Sequence, residues 1–139
     1  PVQLFVVGHG PYSEALAKSL PEACFTGYLR GTELATAYAS ADVFVFPSTT
    51  DTFGNVILEA QASGLPVVVS DSGGPKELVA YKANGLITRS HDVEDLTRAI
   101  RALVTDRALR ERMANSARDS VIDRSWPRAF AKFWAFTEV

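Results

Sequence analysis

Apolar residues recur along this chain in short β-branched runs, each followed by a stretch with helical spacing. That alternation predicts βα units built around a parallel sheet. The runs place strands at Val2–Val7, Ala23–Thr26, Asp42–Phe46, Pro66–Ser70 and Gly85–Thr88. Helices are expected over Tyr12–Leu20, Glu33–Ser40, Asn55–Ser63 and, briefly, Pro75–Ala80. Each junction has a local cause. Gly8 and Gly10 turn the first strand toward its helix, and Thr32 is placed to cap the helix that begins at Glu33. Gly64 ends the helix from Asn55, and Pro66 then opens a strand, where its missing N–H is tolerated.

Beyond Thr88 the pattern turns wholly helical. Ser90 to Asp92 opens a helix whose apolar positions Val93, Leu96, Ile100, Leu103 and Val104 form one stripe. A second helix runs from about Arg107 to Val121, with Leu109, Met113 and Ala117 on one side. The last begins at Ser125-Trp126-Pro127, with Ser125 as a cap and Pro127 acceptable in the first turn. It carries Phe130, Phe133, Trp134 and Phe136, a heavy aromatic load that either packs on the sheet or docks on another domain. The expected fold class is therefore α/β, a Rossmann-like parallel sheet with helices on both faces and a helical C-terminal tail.

Composition narrows the class without naming it. With 139 residues, 47% hydrophobic and 22% charged, residues 1–139 form one domain with enough apolar side chains for a core. A net charge of -2 gives no sign of a nucleic-acid groove. Basic residues gather between Arg98 and Arg128, but they alternate with Asp and Glu at helical spacings, as on a solvated face. The single cysteine, Cys24, sits beside Phe25 in an apolar run and reads as a buried packing residue. No apolar stretch approaches the roughly 18 residues that span a bilayer, and no signal peptide is evident, so a cytoplasmic protein is expected.

The chemistry concentrates where strands end. In an open parallel sheet, ligands bind beyond the carboxyl ends of the strands. Three such ends carry small or polar residues: Gly8-His9-Gly10-Pro11, Pro47 to Asn55, and Ser70-Asp71-Ser72-Gly73-Gly74. A helix starting near Gly54-Asn55 leaves the amides of Asn55, Val56 and Ile57 without helical partners, at the positive end of the dipole. Glu59 shares a face with Asn55, and helical side chains lean toward the N-terminus, so its carboxylate aims back at that end. An ionised carboxylate only accepts, and could take both hydroxyls of a ribose. Asp51, before the turn, could accept from sugar hydroxyls. Spacing alone leaves an ordinary loop aspartate and a surface glutamate as the other reading. The dinucleotide fingerprint fails, because Ser13 stands where the third glycine or alanine belongs and no acid ends the next strand. His9 and His91 have no second His or Cys at ligand spacing, so no metal site is expected.

Taken in order, several motifs resemble the carboxyl-terminal, donor-binding domain of family 4 retaining glycosyltransferases. They are Val6-Val7-Gly8-His9-Gly10-Pro11, Phe25-Thr26-Gly27-Tyr28-Leu29, Ala41 to Ser48, Asp51 to Glu59, Ala60 to Val68, Gly73 to Glu77 and Asn84 to Ile87. The resemblance runs along essentially the whole chain, Ser125-Trp126 included. It implies a two-domain GT-B enzyme whose second half holds a nucleoside-diphosphate sugar, with UDP or GDP as the nucleotide. Carried over by position, Glu59 matches the second glutamate of the family's E-x7-E motif and would bind ribose. Asp51 matches the first and would contact the donor sugar near its reacting carbon. Ser48 and the main chain of Phe53, Gly54, Asn55 and Val56 would line the sugar-phosphate pocket. The Tyr28-Leu29-Arg30 loop would flank the base, and Gly8, His9 and Gly10 would border the phosphates. The implied reaction retains anomeric configuration and needs no metal or cofactor.

The chain departs from the family pattern at Asp51, which is one methylene shorter than the glutamate. Asp-Thr-Phe-Gly-Asn occurs in a branch whose members resemble mannosyl- and sulfoquinovosyltransferases. The family's usual first strand, ending in Gly-Arg with a lysine beyond, is not seen before Pro1. That strand is central in a 3-2-1-4-5-6 order, between the first and third strands here. A longer protein is therefore expected, with an N-terminal acceptor domain that would make any membrane-peripheral contact; this chain alone is expected to be inactive. Three alternatives remain: a nucleotide-sugar epimerase or phosphorylase relative, a non-catalytic assembly module on the same scaffold, and an NAD-binding domain.

Overall fold

The computed structural model describes residues 2–124 and 126–137. The chain divides into two compact units, one up to Ala37 and one from Tyr38 onward. In the first, β1 (Phe5–Val7) and β2 (Cys24–Gly27) pair in parallel, with α1 (Ser13–Ser19) between them. Helix α2 (Gly31–Ser40) then leads into the second unit.

The second unit holds a parallel sheet in the order β3 (Phe44–Phe46), β4 (Val67–Ser70), β5 (Gly85–Thr88). Helix α3 (Asn55–Ala62) connects β3 to β4, and a short 3-10 turn (Pro75–Leu78) precedes β5. Helices α4 (Val93–Thr105), α5 (Arg107–Val121) and α6 (Trp126–Thr137) complete the described chain. Successive strand residues face opposite sides, so the two faces sort cleanly. Val67 and Val69, with Phe44, Phe46 and Ile87, pack on Ile57, Ala60, Leu65, Leu78 and Val79. Val68, with Val43, Val45 and Leu86, packs on Leu103, Met113, Leu96 and Leu109. Valines 67 to 69 are fully buried on both faces, which is why the central strand reads as an unbroken apolar run. The α/β class with helices on both faces is thus borne out.

Local chemistry sets the helix ends. Gly64, at φ 77°, ends α3 in a Schellman motif: its amide donates to Gln61 O (2.9 Å), and Leu65 N donates to Ala60 O (3.0 Å). Asp92 caps α4 by accepting from Asp95 N (2.8 Å). Asp106 serves twice, as the C-terminal cap of α4 and as the N-terminal cap of α5, accepting from Leu109 N at 2.9 Å. The Arg110 guanidinium donates to Leu103 O and Val104 O, closing the end of α4. Several late basic residues have acidic partners, Arg98 with Asp95 and Arg107 with Glu111, as a solvated face requires.

Several expectations need correction. Strands 1 and 3 are shorter than their apolar runs, starting at Phe5 and Phe44, because only those residues gain a ladder partner. Helix α2 begins at Gly31, which turns the chain at φ 53°, so Thr32 lies inside the helix rather than capping it. Cys24 is exposed, not buried, because it opens an edge strand with one neighbour and faces away from the side that Phe25 packs. The strands form a two-stranded parallel sheet, β1-β2, and a three-stranded one, β3-β4-β5, as expected of a domain that lacks its central strand. Phe130 and Trp134 are exposed, while the Ser125 cap and the side chains of Phe133 and Phe136 lie outside the described residues. No helix among the described residues is long and apolar enough to cross a membrane.

Candidate functional site

The loop from Pro47 to Gly54 leaves the half-buried strand β3 and turns sharply into α3. Gly54 makes that turn in the left-handed region (φ 81°, ψ 54°), and no side chain caps the helix. Ile57 N donates back to Gly54 O at 2.9 Å, while the amides of Asn55 and Val56 have no partner among the described residues. The helix start is thus unplugged, with two donors directed out of its positive end. Asp51 stands half-buried before the turn; its Oδ1 accepts from Phe53 N (3.1 Å), and its own amide donates to Ser48 Oγ (3.3 Å). One carboxylate oxygen therefore shapes the loop, and Oδ2 remains for a ligand.

A second loop holds the first in place. Gly74 N donates to Asp51 O (3.0 Å), and Ser72 Oγ donates to Thr49 O (3.3 Å). The backbones meet so closely that a Cβ at Gly74 would lie 1.9 Å from Thr52 O, and one at Gly73 would lie 2.6 Å from Asp51 O. Pro75 presses on Gly54, where an added Cβ would come within 3.0 Å of its ring. Further along, Ser70 Oγ pairs with Ser90 Oγ (2.7 Å), and Asp71 Oδ1 accepts from both Ser90 N and Ser90 Oγ. Those bonds hold the Asp71 carboxyl below its usual range, with the Ser90 hydroxyl as the largest cause. Ser70 to Gly74 is one of the three strand ends read as bordering a ligand, and within it the backbones of Gly73 and Gly74 meet that of the Asp51 loop. Two adjacent glycines before a proline were the visible signal.

Glu59 is exposed on α3, and its Oε2 accepts from the Tyr38 hydroxyl at 3.1 Å. Tyr38 packs on Phe44 (ring centroids 5.6 Å), which stacks on Phe46 (6.2 Å). Partial burial pushes the Tyr38 hydroxyl far above the ordinary phenol range, and the charge of Glu59 adds to the effect. Tyr38 was missed as a site residue, since nothing local in the sequence ties it to Glu59.

The remaining candidates lie in the first unit. Gly8 adopts φ 112° and donates to Gly27 O (2.7 Å), and Gly10 N donates to Ser13 Oγ (2.8 Å), so both amides are used within the loop. Tyr28 OH donates to His9 O at 3.2 Å, and the two rings stand 6.3 Å apart. His9, Gly10, Pro11, Glu14 and Tyr28 line an open cleft of about 410 Å³. Leu29 is half-buried beside it in sequence. Among the described residues, no group of three or more His, Cys, Asp and Glu side chains could hold a metal ion.

The chain belongs to the family described as glycosyl transferases group 1, whose model matches residues 1–120. Over 127 residues it is 47% identical to a GDP-mannose-dependent alpha-mannosyltransferase of Mycolicibacterium smegmatis, covering 91% of this chain and 33% of that protein. Among solved structures it resembles sucrose-phosphate synthase from Thermosynechococcus elongatus, with a TM-score of 0.85 and 28% identity over 98% of this chain and 38% of that one. It also resembles Anabaena HepE in complex with UDP-glucose, with a TM-score of 0.75 and 26% identity over 84% of this chain and 35% of that one. The chain thus spans about a third of the length of these relatives.

Proposed function

We propose that this chain is the donor-binding part of a retaining glycosyltransferase that moves a sugar from a UDP- or GDP-sugar to an acceptor hydroxyl. The observation that carries the reading is the uncapped start of α3, whose open Asn55 and Val56 amides fall between Asp51 and Glu59 along the chain. A diphosphate suits those amides, a ribose suits Glu59, and the transferred sugar suits Asp51. A GDP-mannose-dependent relative and a neighbour holding UDP-glucose support a nucleotide-sugar donor and leave both bases in play. Ser48, Phe53 and Gly54 shape the same pocket. In the first unit, Gly8, His9, Gly10, Tyr28 and Leu29 are proposed as donor-binding residues on the family resemblance alone.

In the proposed reaction the bond from the anomeric carbon to the diphosphate breaks, and a bond to the acceptor oxygen forms on the same face. The acceptor's proton goes to the departing diphosphate, giving a nucleoside diphosphate and the glycoside. Fixed amides answer the charge that grows on the leaving group without reorganising, so no metal is required. Asp51 orients the sugar and eases positive charge at the anomeric carbon; it is not a nucleophile. An acceptor domain elsewhere in the protein completes the site.

The test is donor binding by the whole protein, measured calorimetrically with UDP- and GDP-sugars. Glu59→Ala is expected to weaken nucleotide binding about 10- to 100-fold, the loss of a charge-assisted hydrogen bond. Asp51→Asn, which keeps an oxygen to accept from Phe53 N, should keep nucleoside diphosphate affinity but lose turnover. Unchanged donor affinity in Glu59→Ala would instead favour a non-catalytic assembly module.

A further inference from the structure

Glu59 is exposed and long, so its carboxylate should sample several rotamers in water, and binding a ribose would then cost that freedom. Yet one of its oxygens is already held. The Tyr38 hydroxyl lies 3.1 Å from Oε2, and no Lys or Arg pairs with Glu59 among the described residues. Tyr38 is itself fixed, tilted at 58° against Phe44 on β3, the strand that launches the Asp51 loop.

We propose that Tyr38 is a positioning residue, orienting the Glu59 carboxylate so that Oε1 and the remaining lone pair of Oε2 accept the 2′- and 3′-hydroxyls of the donor's ribose. This rests on the reading of Glu59 as the ribose acceptor. A carboxylate offers about four acceptor directions, so one donor from Tyr38 leaves enough for a diol. The phenol stays protonated, because partial burial and the neighbouring carboxylate both oppose its ionisation. It therefore remains a donor across any working pH. The link also ties the ribose acceptor to the same strand that carries the sugar-binding loop, so both ends of a donor would be registered to β3.

The experiment is a double-mutant cycle in the whole protein, reading affinity for UDP and GDP against their 2′-deoxy counterparts. Wild type is expected to prefer ribose about 10-fold or more, and Glu59→Ala to lose that preference. Tyr38→Phe, which keeps the ring on Phe44, should lower affinity for the ribonucleotide about 3- to 10-fold and shrink the preference in step. In the Glu59→Ala background the same substitution should cost nothing. An equal loss in both backgrounds would mean that Tyr38 only supports the fold, and no loss in either would equally overturn the proposal. If Glu59→Ala itself keeps the full ribose preference, the reading of Glu59 fails first. A melting curve for each variant separates misfolding from altered binding.

Discussion

Replacing Gly74 with alanine isolates one physical quantity, the distance between two backbones. Gly74 has φ -76° and ψ -31°, a conformation alanine adopts freely, so the substitution adds no torsional strain. Its whole effect comes from a Cβ placed 1.9 Å from Thr52 O and 2.5 Å from Thr52 C, where real Cβ atoms keep at least 3.0 Å. The two loops must part by about 1.1 Å, which overpacking data put at roughly 1–3 kcal/mol. That corresponds to a melting point about 4 to 12 °C lower. Function should suffer more than stability, because Asp51 and the amides at Asn55 move with Thr52. A displacement near 1 Å costs on the order of 100-fold in turnover. Gly64→Ala is the control: Gly64 sits at φ 77° with nothing within 4 Å of an added Cβ. It should lose about 1–2 kcal/mol to left-handed strain while leaving donor binding near wild type. Melting curves, donor affinity and kcat of the whole protein compare the pair. Gly74→Ala with wild-type affinity and turnover would refute the reasoning, since the loops would then part without disturbing the site.

Acid should loosen the tie between the ends of β4 and β5. The Asp71 carboxyl is held below its ordinary value of 3.8 by Ser90, so its contribution is complete above that pH and is lost as pH falls through the depressed value. Asp71→Asn should therefore melt below wild type at neutral pH, and the two curves should converge only in acid below 3.8. A gap that closed between pH 5 and 8 would assign the effect to another group. Asp106→Ala removes the side chain that accepts from Leu109 N and should cost about 1 kcal/mol, read as a lower urea midpoint with unchanged slope. Asp106→Asn, which keeps the acceptor, should recover most of it.

Much of the fold was legible because its causes are local. The apolar runs of β4 and β5, the Gly64 stop and the helix opening within Ser90 to Asp92 act over a few residues, and each appeared where the pattern placed it. Strand ends were less legible, since a residue joins a ladder only if a partner reaches it. Val2 to Leu4 fall in a run that predicts strand, yet the ladder starts at Phe5, and Leu4 only accepts from Cys24 N at 2.8 Å. Cys24 shows the same limit from the other side, because burial depends on what covers a face and not on the run a residue belongs to.

By itself the sequence determined the ingredients of the site: a glycine turn into a helix, open amides, and acids spaced so that Glu59 falls on the face of Asn55. Helical geometry and the conformational freedom of glycine are enough to require that much. Only the tertiary structure decided what holds those parts, namely Tyr38 on Glu59 across 21 residues and Gly74 against the Asp51 loop. The Gly74 contact follows from parallel strand register, which aligns Phe46 with Val69 and thereby brings the loops beyond β3 and β4 together, and the Tyr38 contact goes with the packing of its ring on Phe44. Register is set by the packing of two whole faces, and no short stretch of chain contains that information.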